Sequence, residues 1–134
     1  MSGLLTWHVA FERDRTPWGH VFAFAFDGRC WIVFDPHVCW SEVFTLAPGA
    51  EFDAWLSGLD ARIYRIAGGT RSHPFAGLFC VGAVKRLLGF RSGAFSPEGL
   101  RRDLVKAGAE QVFVRENQSP QGRPVDQGLS LIHI

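Results

Sequence analysis

A chain of 134 residues, 47% of them hydrophobic, can form one domain with a substantial core and is too short for two. Its 14 basic and 13 acidic residues give a formal net charge of +1 and the arginines are scattered, which excludes the basic patch of a nucleic-acid-binding protein. The three cysteines form no close pair, so they fit a reducing compartment or thiol chemistry better than a disulfide scaffold.

No targeting or membrane-spanning segment is predicted. The N-terminus lacks the basic stretch followed by an apolar stretch that marks a signal peptide. The longest apolar run, 74–84, is well short of the roughly 20 residues that a membrane-spanning helix requires. We therefore expect a soluble protein with no signal peptide and no membrane span.

Hydrophobic periodicity and turn residues predict an α+β domain, in which an antiparallel sheet packs against helices. In chain order the predicted elements are strands over 4–11, 20–26, 30–35 and 40–46, a helix over 51–59, a strand over 62–66, helices over 77–88 and 97–108, and a strand over 111–114. Gly89 closes the second helix, and Ser96-Pro97 is a favourable cap and first-position pair for the third.

The end of the chain is not expected to belong to the fold. We predict one domain over 1–116 and a disordered tail over 117–128, which is rich in Gln, Pro, Gly and Ser and nearly devoid of apolar residues. Residues 129–134 are what the codons CTG TCT CTT ATA CAC ATC encode, a string that resembles the transposon mosaic-end adapter of sequencing libraries. We expect adapter read-through there and exclude His133 from the site.

The predicted hairpin of 20–26 and 30–35 carries two candidate site residues. Asp27-Gly28 between two runs of strand-forming residues indicates a two-residue turn, which needs positive φ at both positions. Such a turn would pair Phe26 with Arg29, and therefore His20 with Asp35 on one face of the sheet. A carboxylate facing an imidazole fixes the tautomer of a general base. The alternative is an ion pair at the sheet edge with no catalytic role.

Cys80 lies at the start of the predicted helix over 77–88. A thiol near a helix N-terminus has its thiolate stabilised by unpaired N–H groups, and an adjacent imidazolium stabilises it further. With His20 and Asp35 it would form a nucleophile, a general base and an orienting acid. The alternative is an inert core cysteine, since free cysteine is often buried on the inner face of a helix.

Other residues compete for roles near this site. His73 is a rival base seven residues before Cys80, but its predicted loop orients an imidazole less well than a strand does. His8, on an alternating strand, is expected at the surface or at an edge. Trp18 and Trp40 flank the predicted site and could wall a cleft.

No metal site and no cofactor are predicted. Cys30, His37 and Cys39 are close in sequence, but the spacing Cys-x6-His-x-Cys matches no common zinc arrangement and a fourth ligand is not evident. Gly68-Gly69 lacks the following Lys-Ser/Thr of a phosphate-binding loop.

The order of the candidate residues resembles a known family. Three residues follow one another along the chain: a His on a hairpin strand, a polar residue on the returning strand, and a Cys that starts a later helix. This order resembles that of the circularly permuted papain-like fold of NlpC-type and lecithin retinol acyltransferase-type proteins. The resemblance implies that Cys80 is the acyl-accepting nucleophile, His20 the base and Asp35 the orienting residue, a position where the family often has a second His. More narrowly, the chain resembles small uncharacterised phage and prophage proteins over about residues 4–114, through the segments 19–24, 31–36, 80–89 and 96–100.

Two functions are expected from these observations. The first is a thiol hydrolase or acyltransferase, peptidase-like or amidase-like, acting on an amide or ester bond of a peptide, lipid or small-molecule acyl substrate. The second is a catalytically inactive papain-like domain that serves as a phage structural or host-interaction protein. The resemblance to phage proteins implies a place in the host cytoplasm or in the virion.

Overall fold

The computed structural model describes residues 5–13, 19–37, 40–69 and 79–113, and within these residues the chain forms six strands and three helices. The strands are β1 Thr6–Glu12, β2 His20–Phe26, β3 Trp31–Pro36, β4 Ser41–Leu46, β5 Ala61–Ala67 and β6 Glu110–Val112, and the helices are α1 Ala50–Ser57, α2 Phe79–Leu88 and α3 Pro97–Lys106. The sheet is antiparallel, in the order β4-β3-β2-β1-β5-β6. The predicted α+β class is confirmed.

Helices cover both faces of this sheet, because its central strands are apolar on both sides. Successive strand residues point to opposite faces. One face, which includes Val9 and Val21, packs against α2 and α3. The other, which includes Phe22 and Phe24, packs against α1. The helices contribute Val81, Val84, Leu88, Leu100 and Leu104 to the first core and Phe52 and Leu56 to the second.

The helix ends follow the predicted signals. The Ser96 hydroxyl accepts a hydrogen bond from the backbone N–H of Gly99 at 3.1 Å, and Pro97 is the first residue of α3. Gly89, just past α2, has a φ of 66°, as a left-handed C-terminal cap requires. None of the three described helices is long and apolar enough to cross a membrane.

A buried lysine fixes the connection between α2 and α3. Lys85, on α2, is only 3% exposed. Its Nζ donates hydrogen bonds to the backbone carbonyls of Ser92 at 2.9 Å and Ala94 at 2.7 Å. A buried ammonium is costly unless such partners satisfy it. These bonds therefore tie the segment that leads into α3 to the helix that carries Cys80.

The register of β2 on β3 differs from the predicted one by two residues. Phe26 pairs with Trp31 rather than with Arg29, so the predicted direct pair of His20 and Asp35 is wrong. A shift of two residues nevertheless keeps every side chain on its predicted face, because the alternation along a strand has a period of two.

The longer turn has a local cause in the loop over 27–30. The Asp27 carboxylate accepts hydrogen bonds from the backbone N–H groups of Arg29 at 2.8 Å and Cys30 at 2.9 Å. Gly28 adopts a φ of 101°, which only glycine reaches without strain. These bonds favour a four-residue loop over the two-residue turn that Asp-Gly predicts.

His8 is buried, contrary to the prediction of a surface or edge position. β1 lies in the interior of the sheet with both faces covered, so His8 is 0% exposed. Its ring stacks on Phe24 at 5.0 Å and meets the edge of Trp31 at 5.6 Å. Among the described residues, neither ring nitrogen finds a hydrogen-bond partner. Burial, helped by the charge of Arg65, lowers the pKa of His8 to about 4, against a smaller opposing effect of the Phe24 backbone.

We expect the free energy of unfolding to fall as the pH drops from 6.5 to about 4. In that window the unfolded chain binds a proton at His8 and the folded chain does not, so acid favours unfolding by as much as ~3 kcal/mol. The variant His8→Leu should lose less stability over the same window. Urea unfolding of both proteins at either end of the window tests this, and an identical pH dependence in the two would exclude His8 as the cause.

Candidate active site

His20 and Asp35 are in contact at the open end of the β2–β3 hairpin. Nε2 of His20 lies 2.5 Å from Oδ1 of Asp35. Continued past its last pair, the observed register places His20 opposite His37, so the imidazole and the carboxylate meet diagonally rather than directly. The side chains are 16% and 23% exposed, so water screens this contact only in part.

Cys80, the second described residue of α2, joins this pair. Its half-buried thiol hydrogen-bonds the imidazole of His20 and the backbone of Val21. α2 packs on the sheet face that includes Val21, which brings the thiol to the start of β2. Because Nε2 of His20 faces Asp35, Nδ1 is the ring nitrogen that remains for the thiol. The structure thus brings the three predicted site residues together.

The three groups change one another's protonation. Hydrogen bonds with Asp35 and then with Cys80 raise the pKa of His20 to about 10, against the opposing effect of burial. Burial is the largest effect on the Cys80 thiol and raises its pKa. The hydrogen bonds from His20 and Val21 and the charge of His20 together outweigh burial, so the pKa of Cys80 is lowered. The pair is therefore shifted toward thiolate and imidazolium.

This arrangement has the parts that nucleophilic catalysis needs. A thiolate beside an imidazolium is an activated nucleophile next to a proton donor. Asp35 holds the imidazole of His20 in one orientation and one tautomer, so that the thiol side of the ring stays available for proton transfer.

His37 belongs to the same cluster, a relation that the sequence analysis missed. Its Nε2 lies 3.5 Å from Oδ2 of Asp35. Its ring stacks on His20 at 5.2 Å and on Trp40 at 4.0 Å. His37 follows Asp35 by two positions, and this strand-like spacing was the signal that could have found it. Cys30, with which His37 is grouped by closeness in sequence, lies in the loop at the other end of the hairpin.

Of the remaining candidate residues, the structure describes some and not others. Trp40 is 57% exposed and stacks on His37 beside the site, and its role as the wall of a cleft stays a prediction. His73, Trp18 and Cys39 lie outside the described residues, as do the predicted tail and the adapter-like end of the chain.

One set of side chains could hold a metal ion. His20, Asp35 and His37 each offer a ligand atom, and these atoms all lie within 4.8 Å of one another. This set differs from Cys30, His37 and Cys39, whose spacing in the sequence matches no common zinc arrangement.

Comparison of the chain with protein family models, curated proteins and solved structures found no match. Any functional assignment therefore depends on the geometry of the site itself.

At pH 7 we expect iodoacetamide to alkylate Cys80 more slowly in His20→Ala than in the wild type. Loss of the imidazole removes a hydrogen bond and a positive charge that stabilise the thiolate. The rate should fall on the order of tenfold, because the thiolate is the form that iodoacetamide alkylates and the variant has less of it. Peptide mass spectrometry measures the rate at each cysteine.

Cys30 is the internal reference for this experiment, because it is a free cysteine in the hairpin loop, away from His20. Its alkylation rate should be the same in both proteins. Equal rates at Cys80 in wild type and variant would contradict a stabilising contact between the thiol and His20.

Proposed function

We propose that this protein is a cysteine hydrolase or acyltransferase of the circularly permuted papain-like type, acting on an amide or ester bond. One observation carries the proposal: the imidazole of His20 contacts the Asp35 carboxylate on one side and the Cys80 thiol on the other. Such a chain of nucleophile, base and orienting acid performs acyl transfer on several unrelated folds.

The strands and the helix that carry these three residues support the hypothesis of a permuted papain-like fold. The imidazole and the carboxylate come from adjacent antiparallel strands, and the thiol comes later in the chain from a helix packed on the same sheet. This is the order that the resemblance implied. The same resemblance favours a phage or prophage protein, placed in the host cytoplasm or the virion.

The proposed reaction has two steps. The Cys80 thiolate attacks the carbonyl carbon and forms a C–S bond, and the His20 imidazolium gives its proton to the departing nitrogen or oxygen as its bond to carbon breaks. The backbone N–H of Cys80 would donate to the developing oxyanion. In the second step water, or an acceptor in an acyltransferase, attacks the thioester. His20 takes the proton of the attacking group, and the thiolate leaves.

Acyl transfer to Cys80 is the expected result with an activated ester such as p-nitrophenyl acetate. Release of p-nitrophenol should coincide with an acetyl adduct on the Cys80 peptide, detected by mass spectrometry after acid quenching. Cys80→Ala should abolish the adduct. His20→Ala should slow acylation on the order of 10²-fold or more, as removal of a general base does. Asp35→Asn should slow it less than Asp35→Ala, because the amide can still bond the ring.

Cys30→Ala is the matched control, since it removes a thiol of this chain that lies in the hairpin loop outside the site. It should acylate at the wild-type rate. If the acetyl group appears on Cys30 instead, or if Cys80 is not acylated in a folded protein, the hydrolase proposal is wrong. The alternative of a catalytically inactive papain-like domain with a structural or host-interaction role would then replace it.

A further inference from the structure

We propose that His20, Asp35 and His37 bind a divalent transition-metal ion, with Zn²⁺ as the best fit, and that the ion competes with the hydrogen bond that orients His20. Two imidazole nitrogens and a carboxylate oxygen are ligands that Zn²⁺ favours. All three ligand atoms lie within 4.8 Å of one another. Three protein ligands would leave a fourth position open for water.

The spacing of His37 and Asp35 suits a metal better than a hydrogen bond. Tetrahedral Zn²⁺, with bonds of 2.0–2.2 Å, places its ligand atoms about 3.4 Å apart. Nε2 of His37 and Oδ2 of Asp35 are 3.5 Å apart. A good hydrogen bond between nitrogen and oxygen would be no longer than about 3.2 Å. This half of the site therefore needs little movement to hold the ion.

His37 has an unused ligand atom that is fixed in place. Within the part of the chain that the structure describes, its Nε2 is inaccessible to water and has no hydrogen-bond partner. Stacking on His20 and Trp40 holds the ring at the carboxylate. Leaving a buried polar atom unsatisfied normally costs stability. A metal ion bridging His37 to Asp35 would satisfy this nitrogen.

The other half of the site must exchange a proton for the metal. Nε2 of His20 and Oδ1 of Asp35 are 2.5 Å apart and share a hydrogen. Binding would release that proton and replace this hydrogen bond with bonds from each side chain to the metal. Cys80 is not a ligand in this arrangement, because Nε2 of His20 serves the metal and the thiol meets the remaining ring nitrogen.

The consequence for turnover rests on the proposed function, whereas binding itself does not. A neutral imidazole bound to a metal through Nε2 carries its proton on Nδ1. It would have to become an imidazolate to release that proton, so His20 could no longer exchange protons with Cys80 and the substrate. Zinc should therefore inhibit acyl transfer, and a chelator should restore it.

The test is a zinc titration of the untagged full chain, stripped of metal, in competition with a chromophoric chelator. We expect one Zn²⁺ per chain in the wild type. His37→Phe keeps the aromatic stack but has no ligand atom, and it should weaken binding on the order of tenfold or more. His8→Phe makes the same chemical change at a buried histidine of β1, whose ring packs against Phe24 and Trp31 instead, and it should leave the affinity unchanged.

The variant Cys80→Ala distinguishes zinc binding at this site from adventitious zinc binding to the Cys80 thiol. The variant should retain the affinity of the wild type, and its Co²⁺ complex should show visible ligand-field bands without a thiolate charge-transfer band. Loss of zinc binding in Cys80→Ala, or equal affinities for His37→Phe and His8→Phe, would overturn the proposal. Circular dichroism checks folding, and His37→Gln replaces His37→Phe if the latter unfolds.

The two proposals can fail separately. Alkylation and acylation of Cys80 are measured on the metal-free protein, so they report the thiol chemistry alone. Zinc affinity is measured in Cys80→Ala, which lacks the proposed nucleophile. An activated thiol without zinc binding would overturn only the metal site, and zinc binding with an inert thiol would overturn only the proposed catalysis.

Discussion

The hydrogen bond between His20 and Asp35 is the contact on which the arrangement of the site depends. β2 supplies the imidazole, β3 the carboxylate and α2 the thiol of Cys80, so three separate elements meet at one ring. Without the carboxylate the ring could rotate, and neither the thiol nor His37 would face a fixed partner. Rigid packing of helices on both sheet faces keeps this short contact in place, because a densely packed interior resists small displacements.

Much of the architecture could be predicted from the sequence, because local signals determine it. Alternating apolar residues identified the strands, and Ser96-Pro97 identified the start of α3. The contact of His20 with Asp35 was predicted through a register that proved wrong by two residues. The two side chains still meet, because the period-two alternation along a strand determines the face of the sheet on which each one lies. The register determines only whether their contact is direct or diagonal.

The features that the sequence analysis missed depend on tertiary context. The burial of His8 follows from the position of β1 inside the sheet, which strand alternation alone does not reveal. The four-residue loop depends on the Asp27 carboxylate bonding two backbone N–H groups, which competes with the turn that Asp-Gly favours. The place of His37 at the site depends on its ring stacking on His20, which lies on a different strand.

The alternation of side chains along β3 also constrains how the gene of this protein can change in length. Removing or adding one codon within β3, between Trp31 and Asp35, would turn the Asp35 side chain to the opposite face of the sheet, unless a β-bulge absorbed the change. His20 and Asp35 would then lie on different sides of the sheet. A change within the loop over 27–30 leaves the pairing of β2 with β3 intact, so related chains with a working site should vary in length in this loop rather than within β3.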